Sequence, residues 1–175
     1  GDARNIKVTY AGDAQLADCL LRKKTGGLSA GFGFDVHRIT KRKKVLVLGG
    51  AVIPCGFGLH AVSDGDVVVH AVCDALCGAG GLGDIGDYFP PESTKAGLDS
   101  KNIAATVLDK LKGTYRPAAL DITIIAEKPR LVSYKKTMVR NMQKLFRCPR
   151  VNVKIKSKEG LDILGGRESI AVVSI

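Results

Sequence analysis

Three residues in this sequence have types and spacing that suit a metal ion. Asp35-Val36-His37 falls on a predicted strand, where residues two apart point to the same face. A carboxylate and an imidazole can therefore converge on one point. His70 follows on a predicted helix, inside Ser63-Asp64-Gly65-Asp66-Val67-Val68-Val69-His70. One carboxylate and two imidazoles make a first shell for catalytic zinc, with the fourth tetrahedral position left open for water or substrate. As a pattern alone, an Asp-x-His pair with a distant histidine also arises by chance. The third histidine, His60, sits in a glycine-rich loop and reads as an exposed side chain. No Ser-His-Asp or Cys-His arrangement for covalent catalysis is visible.

These residues need elements to position them. Gly31–Ile39 reads as a strand, followed by the basic, solvated turn Lys41-Arg42-Lys43-Lys44. Val45–Leu48 and Ala51–Ile53 read as short strands joined by Gly49-Gly50, and Pro54 stops the second. A glycine-rich loop spans 55–62. Ser63 is the predicted N-cap of a helix reaching about Gly81, with Asp64 and Asp66 as acids in its first turn. Asp74, four residues after His70, shares its helical face and reads either as a partner for that imidazole or as a solvated acid. The longest irregular stretch is 83–99. A second helix is predicted over 100–112, then a strand over 120–126. After Pro129, Leu131, Tyr134, Met138, Met142 and Leu145 form one apolar face of a third helix. Strands at 151–157 and 169–175 complete the chain. This mixture predicts an α+β, sandwich-like fold, with one mixed sheet packed on helices.

Composition narrows the possibilities. At 175 residues the chain is long enough for one domain with a sizeable core. Residues 1–30 are weakly patterned and read as an N-terminal extension to a domain at 31–175. That extension is open to three readings: a precursor remnant, a fused partner's edge or a lineage-specific addition. No apolar run approaches the roughly 20 residues needed to span a bilayer, so no membrane partner is expected. The net charge is +10, and ten of the 27 basic residues precede Val45. Such charge suits phosphates, nucleotides or nucleic acid. No helix-turn-helix or aromatic-rich sheet motif supports a nucleic-acid partner, and Trp is absent. Cys19, Cys55, Cys73, Cys77 and Cys148 are odd in number and form no CxxC pair. They read as reduced thiols in a reducing compartment, and no secretory apolar segment opens the sequence.

Three runs together are more specific than the metal pattern. GFDVH, then SDGDVVVHAVCDAL, then the GDIGDYFP turn resemble the signature of the 2-C-methyl-D-erythritol 2,4-cyclodiphosphate synthase family, of the methylerythritol phosphate route to isoprenoid precursors. The resemblance runs from Gly31 to the C-terminus. It implies a four-stranded type of mixed sheet, and a homotrimer with active sites between subunits. It also implies cyclisation of 4-diphosphocytidyl-2-C-methyl-D-erythritol 2-phosphate with release of CMP. Asp35, His37 and His70 match the family's zinc ligands, one ion per subunit, and Glu159 matches the glutamate that helps hold magnesium or manganese. DITIIAEKPR and VNVKIKSKEGL resemble its cytidine-pocket segments, placing Ala126, Arg130, Leu131, Lys156 and Ser157 around the nucleotide. Ser63 and Asp64 fall in the substrate-binding block, and Asp84 and Gly86 match positions that contact the erythritol. Family membership implies a bacterial cytoplasm or a plastid-type organelle.

The sequence departs from the family at several points. Val62 stands where a substrate-closing loop histidine is usual, with His60 two residues earlier. Arg130 replaces a usual lysine. Ser157-Lys158 replaces Thr-Thr, which puts a lysine beside the expected diphosphate.

Overall fold

The structure is a computed structural model that describes residues 28–42 and 45–175. Most of the predicted extension, with Cys19, and Lys43-Lys44 of the basic turn lie outside the described residues.

The chain runs β1 (Gly33–Thr40), β2 (Leu46–Leu48), β3 (Ala51–Ile53), β4 (Gly58–Leu59), α1 (Val67–Gly80), α2 (Ser100–Leu111), β5 (Ala119–Ala126), α3 (Lys135–Leu145), β6 (Arg150–Lys156) and β7 (Ser169–Ser174). Short 3-10 turns lie at Ile85–Asp87, Val132–Tyr134 and Gly166–Glu168. The main sheet is mixed, in the order β4-β1-β7-β5-β6, with β5 and β6 parallel and the other pairs antiparallel. It has five strands rather than four. The addition is β4, two residues inside the predicted loop, which pair Leu59 with Ile39 and Gly58 with Thr40. Two residues carry no period from which a strand can be read.

Register places the functional positions. His37 is opposite Ile170 on β7, and Ile170 is opposite Ala126 on β5. The end of β5 is therefore level with the histidine of β1. Asp35, Val172 and Ile124 share the same inner face, which α1 covers. The outer face carries the row Val36, Ala171, Ile125 and Lys156.

Strand β1 reaches α1 through glycines. A Cβ on Gly31 would stand 1.8 Å from the Ala75 carbonyl oxygen, and one on Gly33 would stand 1.9 Å from that of Ala71. Only glycine lets the two backbones approach so closely. The facing side of the helix is the small-residue row Ala71, Ala75 and Ala79, spaced by four.

Helix α1 begins later than the sequence suggests. Its cap is Asp66, whose carboxylate accepts from Val68 N and Val69 N at 3.2 and 3.3 Å. Ser63 is not the cap. Asp66 also accepts from Gly49 N and Gly50 N, at 2.8 and 2.6 Å, and so ties the β2–β3 turn to the helix start. Both glycines have positive φ, which the two-residue turn requires. Gly81, left-handed, closes the helix.

Helix α3 shows the predicted stripe. Leu131, Met138 and Met142 are buried, and Tyr134 and Leu145 are half-buried against the core. Burying each such apolar side chain stabilises by about 1.5–3 kcal/mol. Cys73, Cys77 and Cys148 are buried and unbridged, and Cys55 is half-buried. Burial pushes the Cys77 thiol up to about 11, and Cys73 well above its ordinary value, so both act as apolar side chains.

Candidate metal centre

Strand β1 projects Asp35 and His37 toward α1, and the first turn and a half of α1 brings His70 to them. Asp35 Oδ2 lies 2.9 Å from His37 Nε2 and 3.1 Å from His70 Nδ1. The other carboxylate oxygen accepts from Val36 N at 2.7 Å, so Oδ2 alone faces both rings. The rings tilt by 55° with centroids 5.2 Å apart, which points two nitrogens inward without stacking. The side chains are 22%, 14% and 8% exposed for Asp35, His37 and His70, so the cluster is partly buried, with its carboxylate the most exposed of the three. Burial pushes the Asp35 carboxyl up. The hydrogen bonds from His37 and His70 outweigh it and hold the group well below the usual carboxylate range.

These three are the one such cluster among the described residues whose ligand atoms all lie within 4.8 Å of one another. Tetrahedral ligands about 2.0–2.1 Å from zinc stand about 3.3 Å apart, which the observed spacing accommodates. Two imidazole nitrogens and one carboxylate oxygen also suit zinc's preference for mixed nitrogen and oxygen donors.

The residues behind His70 were not legible in the sequence. Its Nε2 lies 3.1 Å from Ser63 Oγ and 3.2 Å from Ser100 Oγ. Ser100 is buried at 1% exposure and donates from Oγ to Asp64 Oδ1. Asp64 also accepts from Asp66 N at 3.2 Å and from Ser100 N at 3.3 Å. Ser100 read only as the first residue of a helix; 30 positions separate it from His70, and no local signal links them. Asp74 takes neither role expected of it. Its carboxylate is half-buried and accepts from Ile85 N at 3.0 Å, pinning the 85–87 turn beside the site. Burial raises its pKa.

Asp84 caps that turn, its Oδ1 accepting from Gly86 N at 2.7 Å and Asp87 N at 3.3 Å. Asp84 and Gly86 are exposed. Ala126 ends β5 and Lys156, followed by Ser157, ends the parallel β6, where Ile125 pairs with Lys156; Arg130 and Leu131 follow β5 in the chain. Arg130, Lys156 and Ser157 are exposed. Ala126 and Leu131 are buried. Glu159 is exposed just beyond β6, with positive φ, and accepts a hydrogen bond from Ser157 Oγ. β6 lies three strands from β1, about 14 Å at ordinary strand spacing.

Lys158 corrects an expectation. It does not stand beside a diphosphate but is buried at 1% exposure. Its Nζ donates to the carbonyls of Leu164, Gly166 and Ser169 and to Ser169 Oγ, at 2.5–3.2 Å. The alternation of β6 gives no hint of this, because the chain leaves the strand before Lys158. His60 is exposed, as read from its loop, and Val62 is 39% exposed.

With this geometry in view, comparison with known proteins is decisive. Residues 28–175 match the YgbB family model. The chain belongs to the YgbB family. It is 42% identical over 156 residues to the 2-C-methyl-D-erythritol 2,4-cyclodiphosphate synthase of Desulfatibacillum aliphaticivorans, covering 85% of this chain and 97% of that protein. It is 38% identical over 177 residues to the bifunctional enzyme IspD/IspF of Campylobacter hominis, covering 99% of this chain and 47% of that one. The chain thus spans about half the length of the bifunctional relatives it matches. Among solved structures, a 2C-methyl-D-erythritol-2,4-cyclodiphosphate synthase in its CDP-bound form superposes with a TM-score of 0.74 at 30% identity, over 83% of this chain and 96% of that one. The bifunctional IspDF of Campylobacter jejuni gives 0.77 at 34% identity, over 83% and 40%. The family resemblance read from the sequence holds, and this YgbB chain has the mixed fold of those synthases.

Proposed function

We propose that this domain cyclises 4-diphosphocytidyl-2-C-methyl-D-erythritol 2-phosphate to 2-C-methyl-D-erythritol 2,4-cyclodiphosphate and releases CMP, a lyase step in isoprenoid precursor synthesis. The observation that carries this reading is the convergence of Asp35 Oδ2, His37 Nε2 and His70 Nδ1 on one point of a YgbB fold. An oxygen of the 2-phosphate attacks the β-phosphorus, the bond from that phosphorus to the bridging oxygen breaks, and CMP leaves with that oxygen. Substrate supplies both reacting groups, so the protein needs no nucleophile; its part is to fold a flexible polyanion and offset repulsion. Zinc held by Asp35, His37 and His70 supplies Lewis-acid charge, and magnesium or manganese held with Glu159 neutralises the nucleotide diphosphate.

The protein's own groups do the positioning. Arg130 and Lys156 are exposed cations at the strand ends, suited to the phosphates, with Ser157 and the backbone of Ala126 and Leu131 beside the cytidine. Asp84 spends Oδ1 on its own turn, leaving Oδ2 to accept from erythritol hydroxyls next to Gly86. Ser63 and Asp64 enter this reading through His70 and Ser100.

The assembly in this reading is a homotrimer, with the strand-end pocket of one subunit facing the metal cluster of the next. About 14 Å between β1 and β6 in one chain is too far for one diphosphate to meet both the cluster and Glu159. Phe34 and Val36 on the outward side of β1, with Phe32 just before the strand, are also exposed, an apolar stripe that a neighbouring copy would cover. The compartment in this reading is reducing, a bacterial cytoplasm or plastid-type organelle, in keeping with four unbridged cysteines. No described helix is long and apolar enough to cross a membrane. We read residues 1–30 as a fused partner's edge. Bifunctional relatives align over 96–100% of this chain, whereas single-function relatives align over 83–85%.

A second reading is a relative that binds cytidine nucleotides or isoprenoid diphosphates without turnover. Val62 in place of the loop histidine favours it. The test is CMP release from purified substrate, with zinc and magnesium added or withheld. Metal-dependent release that His70→Ala abolishes supports the synthase. Nucleotide binding with no release supports the second reading, and neither activity would defeat both.

A further inference from the structure

We infer that Ser100, backed by Asp64, is a positioning residue that fixes the tautomer of His70, presenting the Nδ1 lone pair to the cluster of Asp35 and His37. This rests on the metal-site reading above.

The argument is an accounting of hydrogens. A serine hydroxyl has one hydrogen and two lone pairs, and a carboxylate only accepts. Ser100 Oγ gives its hydrogen to Asp64 Oδ1, and Ser100 N donates to Asp64 Oδ2 at 3.3 Å, so the carboxylate grips the residue twice. With its hydrogen committed, Ser100 Oγ can only accept from the ring nitrogen 3.2 Å away. Nε2 of His70 must then carry the hydrogen, and in the neutral imidazole that a bound metal requires, Nδ1 is left as the lone pair. That is the nitrogen 3.1 Å from Asp35 Oδ2.

Ser63 Oγ also lies 3.1 Å from the same Nε2 and accepts from Gly65 N. Asp35 works against the required tautomer, because its carboxylate in the metal-free site favours a hydrogen on Nδ1. Two carboxylates therefore compete for one ring, Asp35 directly and Asp64 through Ser100. Ser100 is 1% exposed and His70 6%, so water does not replace the serine. Partners behind a ligating histidine typically change metal affinity 10–100-fold.

The experiment measures zinc affinity by competition with a chromophoric chelator, and the His70 ring by 15N-detected NMR of the zinc-bound protein. Ser100→Ala should bind zinc about 10–100-fold more weakly and lose the slowly exchanging Nε2 proton. Ser100→Thr and Ser100→Val have nearly the same shape and differ by the hydroxyl. Thr should match the wild type and Val should match Ala, whatever either does to folding stability. In the Ser100→Ala background, Asp64→Ala should weaken zinc binding no further, because Asp64 acts through the serine. Wild-type affinity in both the Ala and Val variants, with the Nε2 proton retained, would overturn the assignment. A wild-type protein that takes up no zinc would instead overturn the metal-site reading beneath it.

Discussion

Gly33 on β1 and Ala71 on α1 are in backbone contact, with room for a hydrogen but not for a methyl group on the glycine. Gly33 lies two residues before Asp35, and Ala71 follows His70 directly. The contact therefore sets how closely Asp35 and His37 of the strand approach His70 of the helix.

Gly33→Ala forces the strand away from the helix, because the obstructing atom is a main-chain carbonyl that cannot rotate aside. We expect a loss of about 1–3 kcal/mol in urea unfolding, together with weaker zinc binding as the three ligand atoms separate. Full stability in that variant would show that β1 can shift freely.

Zinc should stabilise the folded chain by mass action. At a free concentration 100 times its dissociation constant it adds about 2.7 kcal/mol, or roughly 5–10 °C in the melting temperature of a domain this size. Chelation should remove that increment, and in His37→Ala or His70→Ala the melting temperature should be the same with and without zinc, whatever the variant's own baseline. Calorimetry with and without chelator checks this.

Lys158 holds the 164–169 turn from inside. Replacing it by methionine removes the ammonium donor from the Leu164, Gly166 and Ser169 carbonyls and from Ser169 Oγ, with Leu164 keeping a second donor in Ser169 Oγ, and should destabilise by about 1–3 kcal/mol. Burial lowers the lysine's pKa below its ordinary 10.5. Between the folded value and 10.5 the unfolded chain holds the extra proton, so stability rises with pH across that window. The wild type's advantage over Lys158→Met should therefore grow as pH climbs toward 10.5, measured by urea unfolding over a pH series. A constant difference would mean the ammonium is as well accommodated inside as in water.

Phe34 tests the assembly. Phe34→Asp places a charge in the exposed apolar stripe of β1, on the face opposite Asp35. Light scattering should show the wild type as a trimer and the variant as smaller species, with CMP release lost alongside. A variant that remains trimeric would move the interface elsewhere.

The sequence by itself determined the elements with strong periodicity and the cluster of Asp35, His37 and His70. Alternation on β1 put Asp35 and His37 on one face, the spacing of Met138 and Met142 defined the buried side of α3, and the family's motif runs picked out His70. Each signal is local, or is carried by residue types that little else would place together. Tertiary structure alone decided what stands behind those residues. Asp66 rather than Ser63 caps α1 because the β2–β3 turn comes to it with two further donors. Lys158 points inward because three carbonyls of a later turn meet it there. Ser100 reaches His70 across 30 residues because α2 packs on α1. A hydrogen-bond partner supplied by a distant segment leaves no period and no spacing in the chain, so only the folded arrangement can choose it.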